Sequence, residues 1–195
     1  MLHLWSQFNF FNMSKYIPNL FTILRLLLVP VILILFFDDQ LVNHYLITLI
    51  IFFFAMLTDV IDGWIARQFN LITKLGIFLD PLADKILINI MLFAFVSKGV
   101  IPFWLAAALF ARDLISSDFK SFATQHKIYV AIAPIEGKIK AFLETVGLLA
   151  AFGTIIYPEV VYLSVSTNIL LYLALFVGLI GLIRLFRNNW STVLI

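Results

Sequence analysis

The sequence predicts an all-α, polytopic membrane protein with six transmembrane helices and an N-terminal interfacial segment. Two observations predict it. Of the 195 residues, 63% are hydrophobic and 12% charged, and mean hydropathy is +1.07; soluble domains average about 45–50% and 25%. A soluble domain of this size could not hide that much apolar surface from water. Second, the apolar residues come in runs near the roughly 20 residues a helix needs to cross a bilayer core, with no strand-like alternation. The same composition excludes disorder, which requires low hydrophobicity and high net charge. The lack of cysteine excludes a disulfide scaffold, a thiolate metal site and a catalytic cysteine. A net charge of +2 gives no ground for a nucleic-acid partner.

In chain order, residues 1–14 set Trp5, Phe8, Phe10 and Phe11 among Ser, Gln and Asn. That suits a segment lying on the membrane, or an extension upstream of Met13-Ser14-Lys15-Tyr16, and it lacks the basic start and cleavage site of a signal peptide. Residues 15–190 are expected to form one membrane domain. Its spans are Pro18–Phe37, Tyr45–Ala66, Ile77–Val96, Pro102–Ser117 (short for a full span, with an extension to Phe122 as the longer reading), Ile135–Ile156 and Val160–Phe186. Breaks fall at Asp38-Asp39-Gln40, Arg67–Leu75, Ser97-Lys98-Gly99, Asp118–Pro134 and Tyr157-Pro158-Glu159. With six alternating spans, Lys15, Arg67, Lys74, Lys120, Lys127, Lys138, Lys140, Arg184 and Arg187 share one side, and Lys98 alone lies opposite. The basic side is cytoplasmic, so both termini are expected there.

Ionisable residues inside a membrane segment are costly and point to function. Asp59, Asp62, Asp80 and Asp84 lie within 26 residues, at the cytoplasmic end of the second span and the start of the third. Spacings of i,i+3 and i,i+4 put each pair on one helix face, and an antiparallel return brings the pairs to one depth. Four carboxylates side by side need cations, and oxygen-only ligands select Mg²⁺, Mn²⁺ or Ca²⁺. Gly63 and Ala66 remove side chains beside the acids, and Arg67 offers a planar fork for phosphate. Metal, Arg and glycine together suggest a diphosphate ligand and phosphoryl-type transfer. The plainer alternative, a solvated cytoplasmic rim, suits any single Asp better than all four in paired helical spacing.

The run Asp59-x2-Asp62-Gly63-x2-Ala66-Arg67-x8-Gly76-x3-Asp80-x3-Asp84 resembles, without a departure, the signature of the CDP-alcohol phosphatidyltransferases. Ile17–Arg25 is similar to that family's opening and Leu79–Lys85 to its third-helix start. Arg112-Asp113 and Gly137-Lys138-Ile139-Lys140 resemble later, less diagnostic segments. The resemblance implies six membrane helices, a homodimer, and a polar cavity open to the cytoplasm of what is expected to be a bacterial inner membrane. It implies transfer of a phosphatidyl group from CDP-diacylglycerol to an alcohol, with release of CMP. By the same resemblance, Asp59, Asp62, Asp80 and Asp84 hold two ions (Mg²⁺ or Mn²⁺), and Asp84 is also the base for the acceptor hydroxyl. Asn19, Thr22, Gly63, Arg67 and Thr73 resemble contacts to the CDP-lipid, although Asn19 and Thr22 also suit helix capping after Pro18.

The favoured acceptor is sn-glycerol 3-phosphate, giving phosphatidylglycerophosphate. A cardiolipin synthase taking phosphatidylglycerol is the alternative within the family, with inositol-phosphate and serine acceptors behind it. A divalent-cation transporter is the alternative outside it, disfavoured because the acids cluster near one membrane face and the later spans add only Glu144 well inside. A dianionic acceptor phosphate needs fixed cations, for which Arg25, Arg112, Lys138 and Lys140 are the candidates. Lys138 and Lys140 are i,i+2 and point apart on a helix, so one of them is expected to face the site. Headgroup anchoring is the competing role for the lysines, and snorkelling for Arg25.

Overall fold

The computed structural model describes residues 17–68, 74–125 and 134–193, and they form six helices with no strand among them. These are α1 Ile17–Phe37, α2 His44–Gln68, α3 Lys74–Ser97, α4 Phe103–Gln125, α5 Pro134–Ile156 and α6 Val161–Val193. Each expected span has its helix. Residues 1–14 and Thr73 lie outside the described residues, as do the side chains of Asn19, Asp59, Asp62, Gly63, Arg67, Asp80 and Asp84. Contacts divide the chain at Ile90 into two units, with α3 running through the division.

In the first unit α1 packs on α2. The buried residues of α1 are Thr22, Arg25, Val29, Ile32 and Phe36, spaced three and four apart as one helix face requires. On α2 the buried face is Thr48, Phe52 and Ala55. The connection is a tight polar turn. The Gln40 amide donates to Asp38 Oδ1 (3.1 Å), and Asn43 takes the left-handed conformation (φ 60°) that Asn tolerates better than most residues. His44 opens α2 with Nδ1 3.2 Å from the Leu35 carbonyl, and Tyr45 packs edge-on against Phe36. His44 therefore has a structural place in the turn.

In the second unit the end of α3 turns into α4 through Gly99. Its φ of 73° lets the Val100 amide reach the Phe95 carbonyl and the Gly99 amide that of Val96, both at 3.0 Å. This double bond pattern closes helices whose C′ residue is glycine. Helix α6 packs along α5 and also contacts α4. A Cβ at Gly147 would stand 2.8 Å from Leu171 Cδ2, so glycine there permits the close approach of α5 and α6. Phe95 meets Phe152 edge-on at 4.9 Å, and Phe119 meets Phe186 at 4.8 Å. Large apolar side chains such as Trp104, Phe142, Phe176 and Ile183 are exposed while Arg112, Asp113, Lys140 and Glu144 are buried. A soluble protein arranges these classes the other way round.

Two boundaries differ from expectation. The fourth helix does not break at Asp118 but continues to Gln125, and the sixth runs past Phe186 to Val193. Hydropathy marks where apolar residues end, whereas a helix persists while its residues tolerate the conformation and find packing. Phe119, beyond the apolar stretch of α4, finds that packing against Phe186 at the end of the apolar stretch of α6. At about 1.5 Å per residue, the 33 residues of α6 exceed a roughly 30 Å hydrocarbon core by about 20 Å. By length and apolarity, α5 (Ile135–Ile156) and α6 (Val161–Asn189) are the helices able to cross a membrane among the described residues.

Candidate active site

Helix α2 is continuous to Gln68 and α3 begins at Lys74, so all four aspartates stand on helical backbone and the i,i+3 and i,i+4 separations are real.

On α1, Thr22 and Arg25 are each 1% exposed, and they extend the stripe of Val29, Ile32 and Phe36 toward the helix start. A buried guanidinium is expensive to desolvate. The side chain is held within its unit, which argues against snorkelling to the surface.

The second unit contains a polar cluster built by three helices. On α4, Arg112 Nη1 donates to Asp113 Oδ1 at 3.0 Å, and Arg112 Nε donates to the Gly178 carbonyl of α6 at 2.9 Å. From α5, Lys140 Nζ donates to Asp113 Oδ2 at 2.7 Å and to Glu144 Oε2 one turn further on. All four charged side chains are at most 10% exposed. Space for them comes from Gly178 of α6, where a Cβ would stand 3.0 Å from Arg112 Nε and 3.3 Å from Lys140 Cγ. One turn on, a Cβ at Gly181 would crowd Glu136 Cβ at 3.1 Å and make ordinary contact with Arg112 Nη2 at 3.5 Å. Helix-interior glycine costs about 1 kcal/mol relative to alanine, so this packing is the physical reason for both. Nearer the surface, Arg184 of α6 pairs with Glu136 of α5.

Of the four expected acceptor-phosphate cations, the structure joins Arg112 and Lys140 through one carboxylate. Lys138 is exposed, as the i,i+2 spacing from Lys140 requires, and Arg25 belongs to the first unit. Glu144, Gly178 and Gly181 are the parts that sequence reading did not assign. The i,i+4 pair Lys140–Glu144 inside an apolar helix was the available signal for Glu144.

The family model of the CDP-alcohol phosphatidyltransferases matches residues 15–180. The chain belongs to this family. It is 30% identical over 169 residues to a CDP-diacylglycerol–glycerol-3-phosphate 3-phosphatidyltransferase of Rickettsia felis, covering 87% of this chain and 92% of that one. A Bacillus subtilis enzyme of the same name is 30% identical over 139 residues, 71% of each chain. A probable phosphatidylglycerophosphate synthase of Mycobacterium tuberculosis is 29% identical over 142 residues, 72% of this chain and 65% of the relative. A CDP-alcohol phosphatidyltransferase is a membrane transferase that uses divalent metal ions, a CDP-linked lipid donor and an alcohol acceptor. Membership sets aside the transporter reading. It also gives the four closely spaced Asp positions a chemical setting.

Proposed function

We propose that this phosphatidyltransferase moves the phosphatidyl group of CDP-diacylglycerol to sn-glycerol 3-phosphate, giving phosphatidylglycerophosphate and CMP. The observation that carries the reading is the similarity, over most of both chains, to the Rickettsia enzyme named for that reaction. The complete aspartate signature, carried on the helical backbone of α2 and α3, supports it. We read the protein as a homodimer with six spans, an active site facing the cytoplasm of a bacterial inner membrane, and residues 15–190 as one functional domain.

The donor chemistry of Asp59, Asp62, Asp80 and Asp84 fits two hard divalent ions, Mg²⁺ or Mn²⁺, because it offers carboxylate oxygens and no nitrogen or sulfur. Such ions, when bound, neutralise diphosphate charge and make the acceptor hydroxyl easier to deprotonate. The chain's own groups do the rest. Gly63 would leave room for the diphosphate, and Arg67 offers a planar cationic fork for it. Thr73, Asn19 and Thr22 orient the CDP-lipid. Asp84 takes the proton of the acceptor hydroxyl, whose oxygen forms a new bond to the lipid-bearing phosphorus. The bond from that phosphorus to the bridging oxygen breaks, and the electron pair leaves with CMP. Arg112 and Lys140, joined through Asp113, supply positive charge for the acceptor phosphate.

The test is purified full-length enzyme given CDP-diacylglycerol with a panel of acceptors: glycerol 3-phosphate, phosphatidylglycerol, inositol phosphate and serine. Rapid CMP release with glycerol 3-phosphate supports the reading. Turnover with phosphatidylglycerol alone would make the protein a cardiolipin synthase.

A further inference from the structure

The cluster of the second unit holds two cations, Arg112 and Lys140, and two carboxylates, Asp113 and Glu144, so its charges cancel. Neither cation is used up. Lys140 Nζ has three N–H donors, and carboxylates take two of them. Arg112 commits Nε and Nη1, and its Nη2 makes no hydrogen bond among the described residues. Asp113 is enough to bridge the two cations. Glu144 is different. Only Oε2 is bonded, and Oε1 is buried without a hydrogen-bond partner. A glutamine could accept the same bond from Lys140 without burying a charge, so what a glutamate adds at this position is the charge itself. Its desolvation is costly, which calls for a purpose.

The reaction supplies one. The phosphate monoester of the acceptor is not consumed but leaves on the product, so whatever seats it must also let it go. Binding substrate and product equally tightly does not speed turnover. We propose that Glu144 is a positioning and affinity-setting residue: it holds Lys140 against Asp113 and supplies the counter-charge that keeps the Arg112–Lys140 seat loose enough to release a phosphate monoester. This rests on the reading that the acceptor carries such a group.

The test is Glu144→Gln in the full-length enzyme, with KM and kcat measured for glycerol 3-phosphate and for CDP-diacylglycerol. Removing one negative charge leaves the cluster at +1. KM for glycerol 3-phosphate should fall about three- to tenfold, and kcat should fall with it as product release slows. KM for CDP-diacylglycerol should not move. Glu144→Asp, which keeps the charge, should lie closer to the wild type on both parameters. A purely structural Glu144 would instead lower thermal stability and raise or leave KM, and that result would overturn the proposal. If Glu144→Gln does not fold, Glu144→Met removes the same charge at similar volume, leaves the Asp113 bridge in place and carries the same expectation. Failure of both to fold would make Glu144 structural only, which also overturns it. If wild-type enzyme rejects glycerol 3-phosphate and uses an acceptor without a phosphate monoester, the functional reading itself fails. If it accepts glycerol 3-phosphate while Glu144→Gln leaves KM unchanged, only the present proposal fails.

Discussion

Three glycine-to-alanine changes separate the cluster's geometry from ordinary helix packing. At Gly178 the added Cβ would stand 3.0 Å from Arg112 Nε and 3.3 Å from both Arg112 Cδ and Lys140 Cγ. Alanine favours the helix by about 1 kcal/mol. Against that, overpacking costs about 1–3 kcal/mol, and displacing the 2.9 Å bond from Arg112 to the Gly178 carbonyl forfeits a charged hydrogen bond of about 1.5–3 kcal/mol. The net expectation is a loss of about 1.5–5 kcal/mol, or roughly 3–20 °C in melting temperature for a chain of this size. Because the guanidinium is displaced, KM for glycerol 3-phosphate should rise at least about tenfold. Gly147→Ala crowds only Leu171, at 2.8 Å from Cδ2. It should lower the melting temperature and leave that KM alone. Gly137→Ala meets nothing within 4 Å and should be neutral or slightly stabilising. The assay is thermal unfolding of detergent-purified protein followed by size exclusion, paired with CMP-release kinetics. If Gly178→Ala behaved like Gly137→Ala in both, the Arg112–Gly178 contact would have no energetic weight and the argument from it would be refuted.

Other outcomes follow from the same physics. Asp59→Asn, Asp62→Asn, Asp80→Asn and Asp84→Asn should each reduce turnover to near background without unfolding the protein, since each relieves repulsion among carboxylates; full activity in any two would remove the two-metal reading. Lys140→Ala strands Glu144 and half of Asp113 in the interior and should cost about 3–5 kcal/mol, whereas Arg184→Ala breaks a half-exposed pair with Glu136 and should cost less than about 1 kcal/mol; equal melting temperatures would contradict the burial argument. Cysteines placed at Lys74 or Lys127, in a chain with none of its own, should resist an impermeant thiol reagent applied outside intact cells, and labelling there would invert the topology.

Much of this was legible in the sequence because it depends on local rules. Apolar runs and their polar interruptions placed six helices, and the i,i+3 and i,i+4 spacings of the aspartates needed only helical backbone to set each pair one turn apart. The opposed placement of Lys138 and Lys140 followed from their spacing alone. The Arg112–Asp113–Lys140–Glu144 cluster was not legible, since it requires α4, α5 and α6 to meet and no one-dimensional pattern specifies which turns come together. Gly178 and Gly181 read as ordinary small residues of an apolar helix until Arg112 is seen against them. The ends of α4 and α6 were misjudged for a related reason. Hydropathy falls at Asp118 and Arg187, yet Phe119 and Phe186 meet edge-on across the two helices, and Asn189 Nδ2 folds back on the Leu185 carbonyl.

The central claim is that four carboxylates on α2 and α3 hold divalent ions for phosphatidyl transfer to glycerol 3-phosphate. It is tested most directly by following labelled glycerol 3-phosphate into chloroform-soluble product, with purified enzyme and CDP-diacylglycerol, across a titration of Mg²⁺ or Mn²⁺ from an EDTA-treated start. The account predicts no incorporation without metal, restoration on adding it, and one CMP released per lipid formed. Undiminished incorporation in EDTA, or metal-dependent CMP release with the label left in the aqueous phase, would contradict it.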